Sequence, residues 1–273
     1  MKWNGLVTYT QHTTMSSVYF PHEINASSIS FSEPKPFGET GAKIVYANCN
    51  NKEIKIQCPV MTSPYGLGVY DDGSRKKYSI DLSFRGEEEN TRVAKLHEVL
   101  KEIDTHVLEH AVKNSVTWFK KKMSKEVLQE LMTPSVKYSK DKETGEITNK
   151  YPPTFKIKVP FYEERFTKPV FHLETKEPIE DADWNTLVTK GVKIQAIVQH
   201  NGIWFAGGKF GSMWQVHQMK IQPSEKLTSY SFRDEEEPGE SGKSGKSGES
   251  PQEEHEEQEE KPVEYVLDSE DEL

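Results

Sequence analysis

Cysteine is nearly absent: only Cys49 and Cys58 occur in 273 residues, too few for a disulfide framework. Long apolar runs are missing too. No stretch approaches the roughly 20 apolar residues that span a bilayer, and the chain does not open on a basic segment followed by an apolar one. Secretion and membrane insertion are therefore not expected, and the expected compartment is reducing and intracellular. The final Glu270-Asp271-Glu272-Leu273 lacks the lysine of an ER-retention signal. Asn25-Ala26-Ser27 fits a glycosylation acceptor on paper only. No P-loop, G-x-S-x-G or dinucleotide fingerprint is present. Gly207-Gly208-Lys209-Phe210-Gly211 is too short, and lacks the following Ser/Thr, for a phosphate-gripping loop. The chain has no internal repeat. The enzyme classes marked by those motifs are excluded, and no cofactor is expected.

Acid is plentiful but unevenly placed. From Asp234 to Leu273 there are 17 Asp or Glu against three Lys, a net of -14. Subtracting this from the formal charge of -9 leaves residues 1–233 at +5, with 32 basic and 27 acidic side chains. The segment EEEPGESGKSGKSGESPQEEHEEQEE has no aromatic and no β-branched residue, so it cannot bury enough surface to offset the entropy of ordering. A disordered acidic tail is expected over 234–273. Val263, Tyr265, Val266 and Leu267 interrupt the acid near its tip, the pattern of a short docking peptide. A plain solubility tail is the other reading.

The body has 34% hydrophobic residues over the whole chain, five Trp and twelve Phe, enough for a core. ISFSE, AKIVYA, EIKIQC, KKYSIDLSF, SVKYSK, TFKIKVP, VFHLE and GVKIQAIVQ alternate in the manner of strands. Against them, Val93, Leu96, Leu100, Ile103, Val107 and Ala111 recur at helical spacing from about Glu88 to Lys113. A shorter helix is expected over Lys125 to Met132, before Pro134. The expectation is a mainly β (α+β) body, 1–233, with a helical insertion near 88–132.

Strand parity sorts the faces. Phe155, Ile157 and Val159 oppose Lys156 and Lys158. Tyr78, Ile80, Leu82 and Phe84 oppose Lys77, Asp81 and Arg85. Val192, Ile194, Ala196 and Val198 oppose Lys193 and Gln195. Lysine on a solvated face is commonplace and blunts edge strands; the neighbouring rings give it a second meaning. Asn201-Gly202 between apolar runs reads as a type I′ hairpin turn. It would pair His200 with Ile203, Gln199 with Trp204 and Val198 with Phe205. Phe205 would then face the core, and Trp204 would project from the cation-lined face as a platform for a nucleobase. Gly207, Gly208 and Gly211 would allow close backbone approach around Lys209 and Phe210. Trp214 also fits plain core packing. Trp118 and Phe119, followed by Lys120, Lys121 and Lys122, form a secondary cluster, as does the basic run Arg75-Lys76-Lys77. His106-Val107-Leu108-Glu109-His110 matches an inverted zinc-peptidase pattern. Helical spacing, however, turns His110 towards the core stripe and Glu109 away, with no third ligand, so no metal site is expected.

The run VKIQAIVQHNGIWFAGGKFGSMWQVHQMKI, with FHLE upstream and the helical insertion, resembles the single-stranded DNA-binding proteins of large nucleocytoplasmic DNA viruses of the African swine fever virus type. The resemblance spans residues 170–222. It implies an OB-like antiparallel β-barrel or sheet core and a non-catalytic protein that coats single strands during replication, recombination or repair. Trp204 and Lys209 are the positions onto which that role carries. It also implies a tail that competes with DNA and contacts replication proteins, although this tip ends in Leu273 rather than an aromatic. The candidate nucleic-acid contacts are Trp204, Lys209, Phe210, Trp214, Lys193, Lys156, Lys158, Lys77, Arg85, Lys220, Trp118, Lys120 and Lys121. The expected partner is single-stranded DNA, with no membrane, and the expected location is a reducing intracellular compartment: the host cytoplasm as a viral replication site and, if the protein is viral, the virion. An RNA-binding module and a scaffold with a solvated basic face stay open as alternatives.

Overall fold

The computed structural model describes residues 18–38, 42–71, 73, 76–162, 165–180 and 184–223. The acidic segment expected to be disordered, with its docking tip, lies outside the described residues. Five short strands come first: β1 (Ile29–Phe31), β2 (Lys35–Phe37), β3 (Ala42–Val45), β4 (Ala47–Cys49) and β5 (Lys52–Glu53). They are followed by β6 (Lys55–Thr62), β7 (Leu67–Asp71) and β8 (Lys76–Ser83). The helical insertion is α1 (Thr91–Lys113), α2 (Ser115–Phe119) and α3 (Lys125–Leu131). Two-residue strands β9 (Met132–Thr133) and β10 (Val136–Lys137) lead to β11 (Thr154–Val159). A hairpin of β12 (Phe161–Tyr162) and β13 (Arg165–Phe166), then β14 (Val170–His172) and α4 (Trp184–Leu187), precede the long strands β15 (Lys193–Ala206) and β16 (Lys209–Gln222).

These strands close a barrel. β6 pairs with β8, β8 with β11, β11 with β16, β16 with β15, and β15 back with β6. β7 continues β6 beyond a bend and pairs along the rest of β8. Counting β6 and β7 as one bent strand, the order is 1-2-3-5-4-1, that of the five-stranded OB barrel. The sheet is mixed rather than purely antiparallel, because β16 takes β11, β14 and β9 as parallel neighbours. The bend at residues 63–66 is pinned. The Ser63 N–H donates to Val192 O at 2.9 Å, and at Gly66, φ +76°, a Cβ would stand only 2.7 Å from the Val188 carbonyl oxygen. No side chain fits there.

The interior is the face that parity assigned: Ile80, Leu82, Phe155, Ile157, Ile194, Ala196 and Val198 are buried. The α1 stripe of Val93, Leu96, Leu100, Ile103, Val107 and Ala111 joins the same core. Each such Leu or Ile contributes about 1.5–3 kcal/mol by leaving water. The helix begins at Thr91 rather than Glu88. The Asn90 side chain accepts from the N–H groups of Arg92 and Val93, while residues 86–90 are held in a turn by Asn90 N–H donating to Gly86 O.

Asn201-Gly202 is not a turn. It lies inside β15 as a bulge, where the register passes from His200 opposite Trp214 to Ile203 opposite Ser212. Gln199 and Val198 pair with Gln215 and Val216 instead of folding back on Trp204 and Phe205. The hairpin turns at Gly207-Gly208, whose φ values of 54° and 81° are the left-handed pair that a two-residue loop needs. The Asn-Gly signal loses because β3 pairs with residues 203–205 and draws them into the sheet.

Candidate nucleic-acid interface

The outer face of β7, β8 and β11 is set by register. Asp81 lies opposite Lys156, Ser79 opposite Lys158 and Tyr70 opposite Lys77. The Lys77 ammonium stands 5.7 Å from the centre of the Tyr70 ring, within cation–π range. Gly68 faces Ser79, whose Oγ would lie 3.0 Å from any Cβ there, so the sheet surface beside Tyr70 is low. Charge separation extends further round the barrel. β6, β11, β15 and β16, strands of 8, 6, 14 and 14 residues, contain no Asp or Glu. They carry Lys55, Lys156, Lys158, Lys193, Lys209 and Lys220. A chain with 44 acidic residues keeps them off four of its barrel strands.

Beyond the bulge, β15 and β16 run out as a wing against β3 and β9. A ring network holds α2 to it. Trp118 meets Phe205 edge-on at 5.6 Å, and Phe119 meets Phe205 at 5.5 Å and Phe210 at 5.1 Å. Lys120 ends α2 in the left-handed conformation, so exposed Lys120 and Lys121 leave directly from the anchored rings. Lys43 donates to the Trp118 carbonyl at 3.4 Å, and Lys35 stands 5.7 Å from the Tyr46 ring centre.

All four of the sequence-derived ring contacts need correction. Phe210 is fully buried, and Trp118 and Trp214 are each 2% exposed, so none presents a face to a base. The Trp214 indole N–H donates to Ser135 Oγ at 3.0 Å, and Ser135 in turn donates from its N–H and hydroxyl to the Asp104 carboxylate at 2.7 and 2.8 Å. Burial pushes the Asp104 carboxyl up to about 7, against the pull of those two bonds. His200, edge-on to Trp214 at 4.9 Å, is pushed down to about 4 by burial. Trp204 does point away from Phe205 and the main core, but it is 9% exposed and packs against its cross-strand partner Gly211, where a Cβ would come within 3.3 Å of its ring. It does not project.

The remaining candidates divide among surfaces. Lys77, Lys156 and Lys158 share the β8–β11 face. Lys209, Lys120 and Lys121 belong to the wing. Lys193 and Lys220 sit on the adjoining β15–β16 face, and Arg85 is exposed past the end of β8. Tyr70, Lys35, Lys43 and Tyr46 escaped the sequence reading. Only Tyr70 left a signal there, as the partner of Lys77 across the turn between β7 and β8. In the helix, the His106 Nε2 is hydrogen-bonded to Ile29 O at 3.0 Å, and His110 packs on Phe31 and Trp118 at 4.5 and 5.3 Å. Both rings serve as packing.

The sequence model of a family of unknown function (DUF5871) matches residues 81–234. No curated protein matches the chain. Among solved structures it is similar to gp2.5, a single-stranded DNA binding protein encoded by bacteriophage T7, at 13% identity over 66% of this chain and 98% of that one, with a TM-score of 0.38. It is likewise similar to the single-stranded DNA-binding protein from bacteriophage Enc34 in complex with ssDNA, at 13% identity over 72% and 99%, with a TM-score of 0.38.

Proposed function

We propose that this chain, which belongs to the family of unknown function DUF5871, is a non-catalytic protein that binds single-stranded DNA along the outside of its barrel. The observation that carries the reading is the absence of acid from β6, β11, β15 and β16 together with their six lysines. Phosphates laid across such a surface displace condensed counterions, which drives binding without reading sequence. Tyr70, with Lys77 beside it, offers a ring to an unpaired base, and such a stack contributes about 1–3 kcal/mol. A duplex keeps its bases stacked inside and gains only the charge term. The resemblance of residues 170–222 to viral single-stranded DNA-binding proteins supports the finer role of coating strands in replication, recombination or repair, in the host cytoplasm.

Titration of the full chain against single-stranded DNA, duplex DNA and RNA over a salt series tests this. Single-stranded DNA should bind most tightly, with log K falling by about 0.7 per phosphate neutralised for each tenfold rise in salt. Equal affinity for the duplex, or a flat salt response, removes the reading; tighter binding of RNA reassigns the ligand.

A further inference from the structure

The acid-free strands β6, β15 and β16 share another outer face, reached by carboxylates only from outside those strands, where the Gln222 side chain donates to Glu174 at 3.2 Å. On the outside of β6, β15 and β16, Lys55 stands opposite Gln199, and Gln57 and Gln218 both flank Ile197. Lys193 and Lys220 occupy the following rows, opposite Gln222 and Gln195. The side-chain amides of Gln57, Gln199 and Gln218 hydrogen-bond to no other described residue, leaving donors and acceptors turned outward. Lys193 is exposed, and Lys55 is paired at 2.9 Å with Glu53, which lies outside these strands.

Rings stand at both margins. On the β6 side, Tyr19 is tied to the strand by its N–H donating to Lys55 O at 2.8 Å and its carbonyl accepting from Gln57 N–H at 2.9 Å. The next residue, Phe20, is 48% exposed and stacks on His22 with centroids 5.8 Å apart and planes 6° from parallel. On the far side, half-buried Phe171 of β14 is in register with Lys220.

We propose that this face is a second track for the same single strand, continuing from the β8–β11 face through the point where Lys158 lies opposite Gln215. The inference rests on the single-strand reading above. Lysines at intervals meet phosphates, outward amides meet base edges, and marginal rings meet base faces. A second copy of the chain is a poorer occupant, because it would set lysines against lysines, and lysine is depleted from the centres of protein interfaces.

The test uses the full chain with Lys193→Glu/Lys220→Glu, the milder Gln57→Ala/Gln199→Ala/Gln218→Ala, and Lys156→Glu/Lys158→Glu as the contrast. The probes are oligothymidylates of about 10 nucleotides, within one OB-fold site of roughly 4–16, and of about 40, long enough to wrap. For the long probe, the Lys193/Lys220 variant should lose about tenfold or more in affinity, and its salt slope should become shallower by about 1.4, two phosphates at roughly 0.7 each. Its loss on the short probe should be several times smaller, and the glutamine variant should show the same length dependence more weakly. The Lys156/Lys158 variant should weaken both probes. Wild-type affinity and slope for the long probe in the Lys193/Lys220 variant overturn the second track, as does loss of self-association or of an acidic protein partner with strand binding intact. Failure of the unaltered chain to bind either probe instead removes the single-strand reading itself.

Discussion

Asp104 and His200 are linked through Trp214 and titrate in opposite senses. The fold raises the Asp104 carboxyl to about 7 from an unfolded value near 3.9. It therefore favours the protonated form, a contribution present in full below about pH 4 and lost as pH rises to 7. The fold lowers His200 to about 4, favouring the neutral ring; that contribution is present above about pH 6.5 and lost as pH falls towards 4. Between those limits the two slopes oppose each other. Asp104→Asn keeps an acceptor for Ser135 but removes one titration, so its stability should rise with pH from 4.5 to 6.5, by at most about 1.4 kcal/mol per pH unit, where the parent is flatter. Urea midpoints across that range check it, and parallel curves for the two proteins refute it. Neither shift is visible in the sequence, where Asp104 is one polar residue on a helix and His200 one break in an apolar alternation. Parity did put Trp204 and Phe205 on opposite faces, but not with the expected burial, since Trp204 is buried and Phe205 half-buried. It could not show that Trp204 is buried against Gly211, since that depends on a partner strand.

Among the elements, the strands and α1 were legible because each is repeated in its own side chains: period two in TFKIKV and KKYSIDLS, helical spacing from Val93 to Ala111. The hairpin was not. Asn201-Gly202 and Gly207-Gly208 are both able to form a two-residue turn, and the choice was made by β3, more than 150 positions away in sequence. Gly202 instead serves the bulge, at φ +119°, with Ile44 Cγ1 2.7 Å from where a Cβ would stand. Gly202→Ala should therefore cost about 1–3 kcal/mol from backbone strain, plus the displacement of Ile44. The same change at Gly208, which has nothing within 4 Å, meets backbone strain alone. A larger fall in melting temperature for the Gly208 variant than for Gly202 would contradict this account of the bulge.

For the whole molecule, charge is the quantity that sequence conveyed best. A body of +5 carries a segment of -14 on a Gly-Ser-rich connection, so that segment stays at high effective concentration and should compete with DNA for the same lysines. Ending the chain at Arg233 should tighten single-strand binding, most at about 0.01 M salt, where the Debye length is about 30 Å. Coincident curves for the two lengths at low salt rule the competition out. Topology, by contrast, adds a constraint in time. β6 must wait for β15, whose Gln195 contacts Cys58 across 137 positions, and the ring of strands is sealed only by β16. At roughly 5–20 residues per second on a ribosome, the first barrel strand spends about 7–27 s without its partner. Over that interval Lys55 and Pro59, a cation and a missing N–H on an unpaired edge, are what discourage the nascent chain from pairing with a stranger.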